Sequence, residues 1–360
     1  MIHATIMAGG TGKRFWPQSR TKRPKQVLSI GGPRPMIAET LLRLEGLVPV
    51  ERTTIITNAE QVAPIMDAVR PGAPPNIIAE PFGRDTAACI GLAAVHVRHV
   101  DPDGVMLVLP ADQVIGPPER YREVMAAGIQ IASQSDALVT FGIKPPYPAT
   151  GYGYVHRGEP VAEVNGAPVF DVHGFREKPS REVAEEYLES GDYYWNSGIF
   201  CWKASTILHC LERFTPELYA ALLRIEGAIG TPTEDTVLRE QYEPLERISI
   251  DYAVMEKAET IRVVEADFHW SDVGSWASVA RLRADEADGQ GNVATGLSEL
   301  IDVEDTLVLT DDDHLVGVIG LRDVIVVHTD DATLVCSRDS AEHVKQLVDA
   351  LEKKKLDAYL

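Results

Sequence analysis

One stretch decides the fold prediction: Ile6-Met7-Ala8-Gly9-Gly10-Thr11-Gly12-Lys13-Arg14-Phe15-Trp16-Pro17, followed shortly by Arg23-Pro24-Lys25-Gln26. This stretch begins at the end of a short apolar run, Ile2–Met7, that is typical of a buried strand. Glycine allows the backbone to turn tightly and to approach a ligand closely. Six lysines and arginines lie between positions 13 and 25. A glycine turn beside such concentrated charge indicates a phosphate-binding loop; the plain alternative is a turn followed by solvated basic residues.

This turn matches neither of the two common phosphate-binding loops. A P-loop would place a glycine at Met7 and a hydroxyl-bearing residue at Arg14. The dinucleotide pattern G-x-G-x-x-G fits Gly10 and Gly12, but Phe15 stands in place of its third glycine. A dinucleotide-dependent oxidoreductase is therefore a disfavoured alternative.

Composition sets further bounds. A length of 360 residues suggests two domains, or one large domain with an appendage. The net charge of −20 argues against nucleic acid as a partner, although a local basic cluster can still bind a nucleotide. The chain has no apolar run of about 20 residues and no basic stretch ahead of one, so we expect no membrane span and no secretory signal. Four scattered cysteines without a CxxC pair predict free thiols and a cytoplasmic location.

Residues 1–142 alternate strand-like apolar runs with helical patterns. This alternation predicts a doubly wound, mostly parallel α/β sheet with helices on both faces. Ligands bind such sheets at the carboxyl ends of the strands, and the glycine turn and Asp112 both fall at that edge. The predicted strands are Ile2–Met7, Thr53–Thr57, Asn76–Ala79, Val105–Leu109 and Ala137–Phe141.

The opening stretch also carries a recognisable motif, made of Gly9, Gly10, Gly12, Arg14 and Pro17, with Pro24-Lys25 after it. The motif resembles G-G-x-G-x-R-x-x-P, the signature of the sugar-1-phosphate nucleotidyltransferases. The variant with Phe-Trp-Pro and Pro-Lys-Gln is similar to the guanylyltransferases that act on mannose 1-phosphate. The resemblance implies a Rossmann-like nucleotide-diphospho-sugar transferase fold.

The reaction that this resemblance implies takes place between anions. Mannose 1-phosphate would attack the α-phosphorus of GTP in line, giving GDP-mannose and releasing pyrophosphate, without a covalent enzyme intermediate. Such a transfer needs cations, amide donors and a metal ion more than a protein nucleophile. The chain accordingly has no G-x-S-x-G motif for an acyl-transfer serine.

Four charged residues are the candidate catalytic residues. Arg14 and Lys25 would bind the triphosphate and the charge that develops during transfer. The resemblance assigns Asp112 and Asp272 as ligands of the cofactor, Mg²⁺, which prefers carboxylate oxygen atoms. Taken singly, each aspartate is more often a turn or capping residue, and Asp272 could cap the next helix. The family usually has histidine at the position of Gln113, so no role is assigned to that side chain.

The segment Glu80–Ala87 resembles the base-recognition segment E-P-x-x-R-x-T-A of the guanylyltransferases. The resemblance implies that Glu80, Arg84 and Thr86 bind the nucleotide together with the three glycines of the motif. A carboxylate or carbonyl that faces the N1 and N2 donors of guanine would select GTP over ATP. A local alternative, compatible with the first, is that Asp85 or Thr86 caps the following helix.

The sugar phosphate is expected in an edge lobe over about 143–285, inside a catalytic domain of residues 1–285. Lys178 would hold the phosphate, Glu177 and Asn196 would bond sugar hydroxyls, and Gly151 would let the backbone approach the ring. Asp251, in the block Ser-Ile-Asp-Tyr-Ala-Val-Met-Glu-Lys, also resembles a family position near the mannose.

Residues 286–360 are expected to form a second unit. Short β-rich runs separated by polar turns predict a small β unit, and apolar residues at helical spacing predict a terminal helix over 341–355. The resemblance implies a short left-handed β-helix that helps to form a homodimer, and exposed strand edges would suit such pairing. The predicted strands are Thr306–Leu309, Leu315–Ile319, Asp323–His328 and Leu334–Cys336.

Two alternatives to the guanylyltransferase stay open. A related transferase could use another hexose 1-phosphate or another base. A non-catalytic regulatory subunit that binds a sugar nucleotide would be expected to have lost phosphate or metal ligands. That loss is not seen, because the chain retains Arg14, Lys25, Asp112, Lys178 and Asp272.

Overall fold

The computed structural model describes residues 1–70, 75–310 and 313–360. None of the helices in these ranges is long and apolar enough to cross a membrane. The strands are β1 (Ile2–Met7), β2 (Thr53–Asn58), β3 (Asn76–Glu80), β4 (Val105–Pro110), β5 (Val114–Gly116), β6 (Leu138–Ile143), β7 (Gly153–Val164), β8 (Ala167–Glu177), β9 (Tyr193–Lys203), β10 (Ile261–Ala266), β11 (His269–Ser271), β12 (Val293–Thr295), β13 (Ser298–Ile301), β14 (Leu307–Leu309), β15 (Val316–Ile319), β16 (Val324–His328) and β17 (Thr333–Ser337). The α-helices are α1 (Met36–Arg43), α2 (Val62–Ala68), α3 (Asp85–Val100), α4 (Pro118–Gln134), α5 (Arg181–Ser190), α6 (Ala204–Phe214), α7 (Pro216–Ala228), α8 (Glu234–Tyr242), α9 (Trp276–Leu282) and α10 (Val344–Lys353).

Nine strands form the central sheet, in the order β3-β2-β1-β4-β9-β6-β10-β8-β7. All of them except β8 and β9 run in the same direction. The five strands predicted within residues 1–142 are confirmed as β1, β2, β3, β4 and β6. Short apolar runs predicted these strands, because strands covered on both faces are rich in apolar residues. The predicted mostly parallel α/β fold is confirmed.

Helices cover both faces of this sheet. Along β4, Leu107 packs into a core that includes side chains of α1 and α4, whereas Met106 and Val108 pack into one with α3, α6 and α7. The alternation follows from the two-residue period of a strand. The carboxyl ends of β1, β3 and β4 therefore reach one uncovered edge, where the candidate residues lie.

Strand β9 lies antiparallel between β4 and β6, a position that no local pattern in the sequence predicted. Because β9 runs against its neighbours, its first half lies beside the carboxyl ends of the parallel strands. Asn196 there pairs with Gly142 near the end of β6. The reversed strand thus carries Asn196 to the ligand edge.

The C-terminal β unit is built mainly from short parallel pairs, with β17 added antiparallel to β16. Strands β12, β14 and β16 are neighbours in one small sheet, and β13 and β15 form another. The chain visits the two sheets in turn, as in a parallel β-helix, so the predicted small β unit is confirmed. Its left-handed sense stays a prediction. The expected terminal helix is α10, preceded by a 3-10 segment over Arg338–His343.

An apolar cluster, here called the loop cluster, joins the C-terminal unit to the opening stretch. Phe15 and Trp16 are buried in it with Trp276, and Val344 and Val348 of α10 close it from the other side. The rings of Phe15 and Trp276 meet edge to face, with centroids 5.1 Å apart. The loop is thus supported by the far end of the chain, while the division of the chain at residue 285 stays a prediction.

Candidate active site

The glycine loop, residues 8–12, is fixed by two buried glutamines. Gln26 Nε2 donates to the Ala8 carbonyl at 2.7 Å and to Gln61 Oε1 at 2.9 Å. Gln61 Nε2 in turn donates to the Gly10 carbonyl at 3.3 Å. No atom of the described residues lies within 4 Å of the place where a Gly10 side chain would project, so the loop is open on that side. The Pro-Lys-Gln block therefore holds the loop in addition to contributing charge.

Gly12 occupies a position that only glycine fits. Its φ is +67°, and a Cβ atom there would lie 2.4 Å from Lys25 Cβ. The backbone of the loop consequently lies directly against Lys25.

Lys25 connects two aspartates that are far apart in the sequence. Its Nζ donates to Asp112 Oδ2 at 3.0 Å and to the backbone carbonyl of Asp272 at 2.6 Å. Lys25 is only 5% exposed, and a buried ammonium is stable only when it is paired and hydrogen-bonded. The structure therefore brings together three of the four predicted catalytic residues.

The Asp272 carboxylate is held by a tyrosine. Tyr152 OH donates to Asp272 Oδ1 at 2.5 Å, and its ring packs edge-on against Trp195 and Trp270. Burial raises the pKa of Asp272, and the Tyr152 bond works in the opposite direction. The next residue, Val273, has a φ of +46°, which is unusual for a β-branched side chain. Backbone strain of this kind clusters at functional sites.

Glu80 ends β3 beside the glycine loop. A Cβ atom at Gly9 would lie 3.4 Å from its Oε2, and its Oε1 accepts a hydrogen bond from Tyr242 OH at 2.5 Å. Burial raises the pKa of Glu80 to about 7, with the Tyr242 bond acting against that rise. A carboxylate in this position can accept hydrogen bonds from a base lying over the loop.

Arg84 bonds the end of α8 and the residue after it, and Thr86 bonds the segment that follows. Arg84 Nε donates to the Tyr242 carbonyl at 3.2 Å, and its Nη2 donates to the Glu243 carbonyl. Thr86 Oγ1 accepts from the amide of Ile250 at 2.8 Å. The two side chains therefore brace the base-recognition segment, and direct contact with a nucleotide stays a prediction.

The helix-capping alternatives are wrong. Helix α3 begins at Asp85, whose φ is +67°, and the Asp85 carboxylate accepts only from the neighbouring Thr86 amide among the described residues. The cap position is Arg84, without a side-chain cap bond. Asp272 does not cap α9 either, since that helix begins after Ser275 and has no side-chain cap. Helix capping therefore does not account for these residues.

Four of the predicted sugar-site residues meet at the edge lobe. Lys178 Nζ donates to Glu177 Oε1 at 2.7 Å, and Asn196 Nδ2 donates to Asp251 Oδ1 at 2.9 Å. Asp251 opens a π-helical turn, Asp251–Met255, a feature frequent at functional sites. Burial raises the pKa of Asp251 to about 6, and the nearby Glu177 charge adds to the rise. This sugar cluster offers acceptors and donors for hydroxyls and one cation for a phosphate.

The sugar cluster is open on one side and joined to Asp272 on the other. At Gly151, the space that a Cβ atom would enter has no other atom of the described chain within 4 Å, so the backbone is accessible there. The Lys178 amide donates to the Tyr152 carbonyl at 3.2 Å, and Tyr152 also holds Asp272. The candidate sugar and metal groups thus share one supporting residue.

Comparisons with known proteins agree with this arrangement. A family model described as nucleotidyl transferase matches residues 3–289, and one described as MannoseP isomerase/GMP-like beta-helix domain matches residues 299–351. The chain belongs to the nucleotidyl transferase family.

Among its relatives in this family, mannose-1-phosphate guanylyltransferases from Escherichia coli and Klebsiella pneumoniae are each 38% identical over 362 residues. Each match covers 100% of this chain and 76% of the relative. A solved structure named mannose-1-phosphate geranyltransferase, from Thermus thermophilus, superimposes with a TM-score of 0.86 and 35% identity. That match covers 98% of this chain and 99% of the other.

Nucleotidyl transferases of this family generally use a divalent metal ion. The described residues contain no group of three or more His, Cys, Asp and Glu side chains that could hold a metal alone. Asp112 and Asp272 nevertheless fit a hard cation, because Mg²⁺ is commonly bound by one or two carboxylates together with substrate phosphates. The Lys25 ammonium, bonded to the Asp112 carboxylate and to the Asp272 backbone carbonyl, shows that this part of the site accommodates a positive charge.

The fourth catalytic candidate of this nucleotidyl transferase, Arg14, contacts the C-terminal unit. Arg14 Nε lies 2.7 Å from Glu342 Oε2. Its neighbour Lys13 bonds Asp349 at 3.0 Å and Glu352 at 2.6 Å. Lys13 and Arg14, the two cations closest to the glycines, are therefore paired with three carboxylates. Phosphate oxygens could form the same kind of ion pair.

Sequence reasoning missed the residues that hold the site in place. Tyr152, Tyr242 and Gln61 bond predicted residues from distant parts of the chain, and nothing local marks them. The acidic residues of the C-terminal segment left a partial signal, since Asp349 and Glu352 are three apart and share a helix face. That spacing could indicate an acidic face, although it could not name Lys13 as its partner.

Gln113 is a buried link between two strands. Its Nε2 donates to the Ser197 carbonyl at 2.5 Å, which ties the residue after Asp112 to β9. The glutamine thus helps to place both Asp112 and the Asn196 segment.

Proposed function

We propose that this protein transfers GMP from GTP to mannose 1-phosphate, giving GDP-mannose and pyrophosphate. The position of Lys25 carries the proposal: one buried ammonium bonds Asp112 and Asp272 at the sheet edge that also holds Glu80 and the sugar cluster. The names of the relatives support guanine and mannose as the base and the sugar.

The chemistry is an in-line displacement at the α-phosphorus. A phosphate oxygen of mannose 1-phosphate forms the new P–O bond, while the bond from the α-phosphorus to the pyrophosphate oxygen breaks. Lys25 stabilises the charge that accumulates at the reacting phosphate, and the amides of the glycine loop bind the leaving phosphates. Lys178 holds the attacking phosphate, so that orientation replaces a covalent intermediate.

Mg²⁺ is the metal that we propose for Asp112 and Asp272. When bound, it would neutralise phosphate charge and orient the triphosphate. Tyr152 keeps one oxygen of Asp272 occupied, which leaves the other oxygen and Asp112 to face the metal.

Pyrophosphate release tests this function. The protein should release pyrophosphate when incubated with GTP, mannose 1-phosphate and Mg²⁺, and should fail to do so when any one of them is omitted. A panel that crosses several triphosphates with several hexose 1-phosphates identifies the preferred pair. Absence of release with every hexose 1-phosphate would refute the function, and a different best pair would replace guanine or mannose.

The proposed location of this activity is the cytoplasm. The four cysteines are all unpaired, and free thiols are typical of a reducing compartment. Cell fractionation with an antibody against the protein tests the location, and recovery outside the cytoplasmic fraction contradicts it.

Replacing Glu342 with glutamine should lower the KM for GTP. The carboxylate pairs with Arg14, so a triphosphate that binds Arg14 has to displace it. An exposed ion pair is worth about 0.2–1 kcal/mol, which corresponds to a decrease in KM of up to about 5-fold. Steady-state kinetics measure the change, with Asp339→Asn on the same 3-10 segment as the control of equal charge. A higher KM in the Glu342 variant would show that Glu342 orients Arg14 instead of competing for it.

We also propose that the protein is a homodimer that pairs through the outer face of β13 and β15. Leu297, Ile301, Leu315 and Ile319 are exposed there side by side, and an apolar face of this kind marks a protein interface. Ile319→Lys should therefore convert the dimer to a monomer in light scattering. Val335→Lys, at a similarly exposed position on β17, is the control. A monomeric native protein, or a variant that stays dimeric, contradicts this interface.

A further inference from the structure

Tyr242 ends α8, 162 residues after Glu80 and outside every motif that carries chemistry. It is fully buried, and its hydroxyl donates to Glu80 Oε1 at 2.5 Å. We infer that Tyr242 is a positioning residue for guanine selection: it fixes the Glu80 carboxylate and keeps it able to accept hydrogen bonds from the base. The inference rests on the proposed function, and it assigns to that function a residue outside the base-recognition segment.

The geometry divides the two oxygens of Glu80 between two tasks. Oε1 is bound to Tyr242, which stops rotation of the carboxylate. Oε2 faces Gly9, the first glycine of the loop, and has no bond to Tyr242, so we assign it to the bound base. Guanine presents two adjacent N–H donors. A Glu80 carboxylate whose orientation is fixed by Tyr242 therefore favours guanine over a base without these donors.

The end of α8 and the residues after it contact other parts of the base-recognition segment as well. The Tyr242 carbonyl accepts from Arg84, which lies beyond Glu80 in that segment. Further along, the Ala87 amide donates to the Ile248 carbonyl at 3.1 Å. Residues 242–248 therefore contact the segment near its start, at its middle and at its end, and the Tyr242 hydroxyl is the contact that reaches a base-reading group.

Protonation links this geometry to pH. The groups that face Glu80 are Tyr242 from α8, Asp85 and Cys89 from α3, and Arg84, which lies near Tyr242. Burial, with a contribution from Asp85, raises the pKa of Glu80 to about 7, whereas the Tyr242 bond lowers it. Only the ionised carboxylate accepts both guanine donors, so GTP affinity should rise as the pH rises through about 7. Removing the phenol removes a lowering influence, so the midpoint should move to higher pH.

Tyr242→Phe tests the inference. The probes are GTP and ITP, whose base lacks the 2-amino group. We expect the preference for GTP over ITP in kcat/KM to fall by about 10-fold, as for loss of a hydrogen bond to a charged group, with the kcat for ITP little changed. We also expect the pH midpoint of the KM for GTP to rise. An unchanged preference together with an unchanged midpoint overturns the inference.

A matched control separates positioning from general loosening of the fold. Tyr194→Phe removes a similar phenol–carboxylate pair, Tyr194 OH to Glu265 at 2.5 Å, which is partly buried and lies away from the base-recognition segment. It should keep the native preference, and an equal loss in both variants overturns the inference.

If Tyr242→Phe does not fold, Glu80→Gln examines the same pair and should remove both the preference and the pH dependence near neutrality; retention of either overturns the inference. Failure of the proposed function is distinct, because the native protein itself would then not turn over GTP.

Discussion

Replacing Lys25 with methionine should lower kcat by about 10²- to 10³-fold while leaving the protein folded. Methionine matches the length of lysine and keeps the packing against Gly12 and the Phe15 ring, which lies 5.3 Å from the ammonium. It removes the buried charge that faces Asp112 and Asp272. Loss of one preorganised donor from a buried site commonly costs a factor of this size.

Two measurements assign the loss to chemistry. Pyrophosphate release gives kcat, and circular dichroism with thermal melting reports the fold. The metal should still bind, since Asp112 and Asp272 keep their charge and lose a competing cation; paramagnetic resonance of Mn²⁺ measures that directly. Lys22→Met, at an exposed site in the same stretch, should behave like the native protein. Near-native turnover in the Lys25 variant would remove this residue from the mechanism.

Replacing Asp112 with asparagine should reduce turnover by a factor on the order of 10³ and should also weaken metal binding. Asparagine preserves the shape of the side chain, so the turn after β4 is retained. The negative charge that a divalent cation needs is lost, and Lys25 loses its carboxylate partner. Metal binding and turnover should therefore fall together, unlike the result expected for Lys25→Met.

The control for Asp112 lies at the opposite end of the same strand. Asp103 is exposed in the turn before β4, so Asp103→Asn makes the same chemical change away from the ligand edge. It should leave both turnover and metal binding unaltered. Retained metal binding in the Asp112 variant would mean that Asp272 and the substrate phosphates suffice without Asp112.

Most of the fold of the first 142 residues could be predicted because five of its six strands contain short apolar runs that alternate with helical patterns; only the three-residue β5 was not predicted. Strand β9 could not be predicted in the same way, since its position between β4 and β6 depends on pairing with strands formed long before it in the chain. Its effect on the site is large, because it places Asn196 beside Asp251. Long-range pairing leaves no trace in local periodicity.

The candidate site shows the same limit. Lys25, Asp112 and Asp272 were named from motifs, and the structure joins them through one ammonium. Their supports were not named, because a tyrosine such as Tyr152 or Tyr242 reads as an ordinary core residue. The role of each tyrosine is visible only in three dimensions, where its phenol oxygen lies 2.5 Å from a carboxylate oxygen. Motifs thus identified charged groups but not the residues that orient them.

The loop cluster links the stability of the C-terminal helix to the binding of substrate. Phe15 and Trp16 share their packing with Val344 and Val348, and Trp16 Nε1 donates to the Tyr359 carbonyl at 2.8 Å. The segment that directly follows the glycine loop is therefore packed against the end of the chain. We expect a substitution that loosens α10 to weaken substrate affinity at a distance, without altering any group that we assign to substrate binding. Laboratory evolution for heat tolerance and for catalytic efficiency would therefore select overlapping positions in this protein.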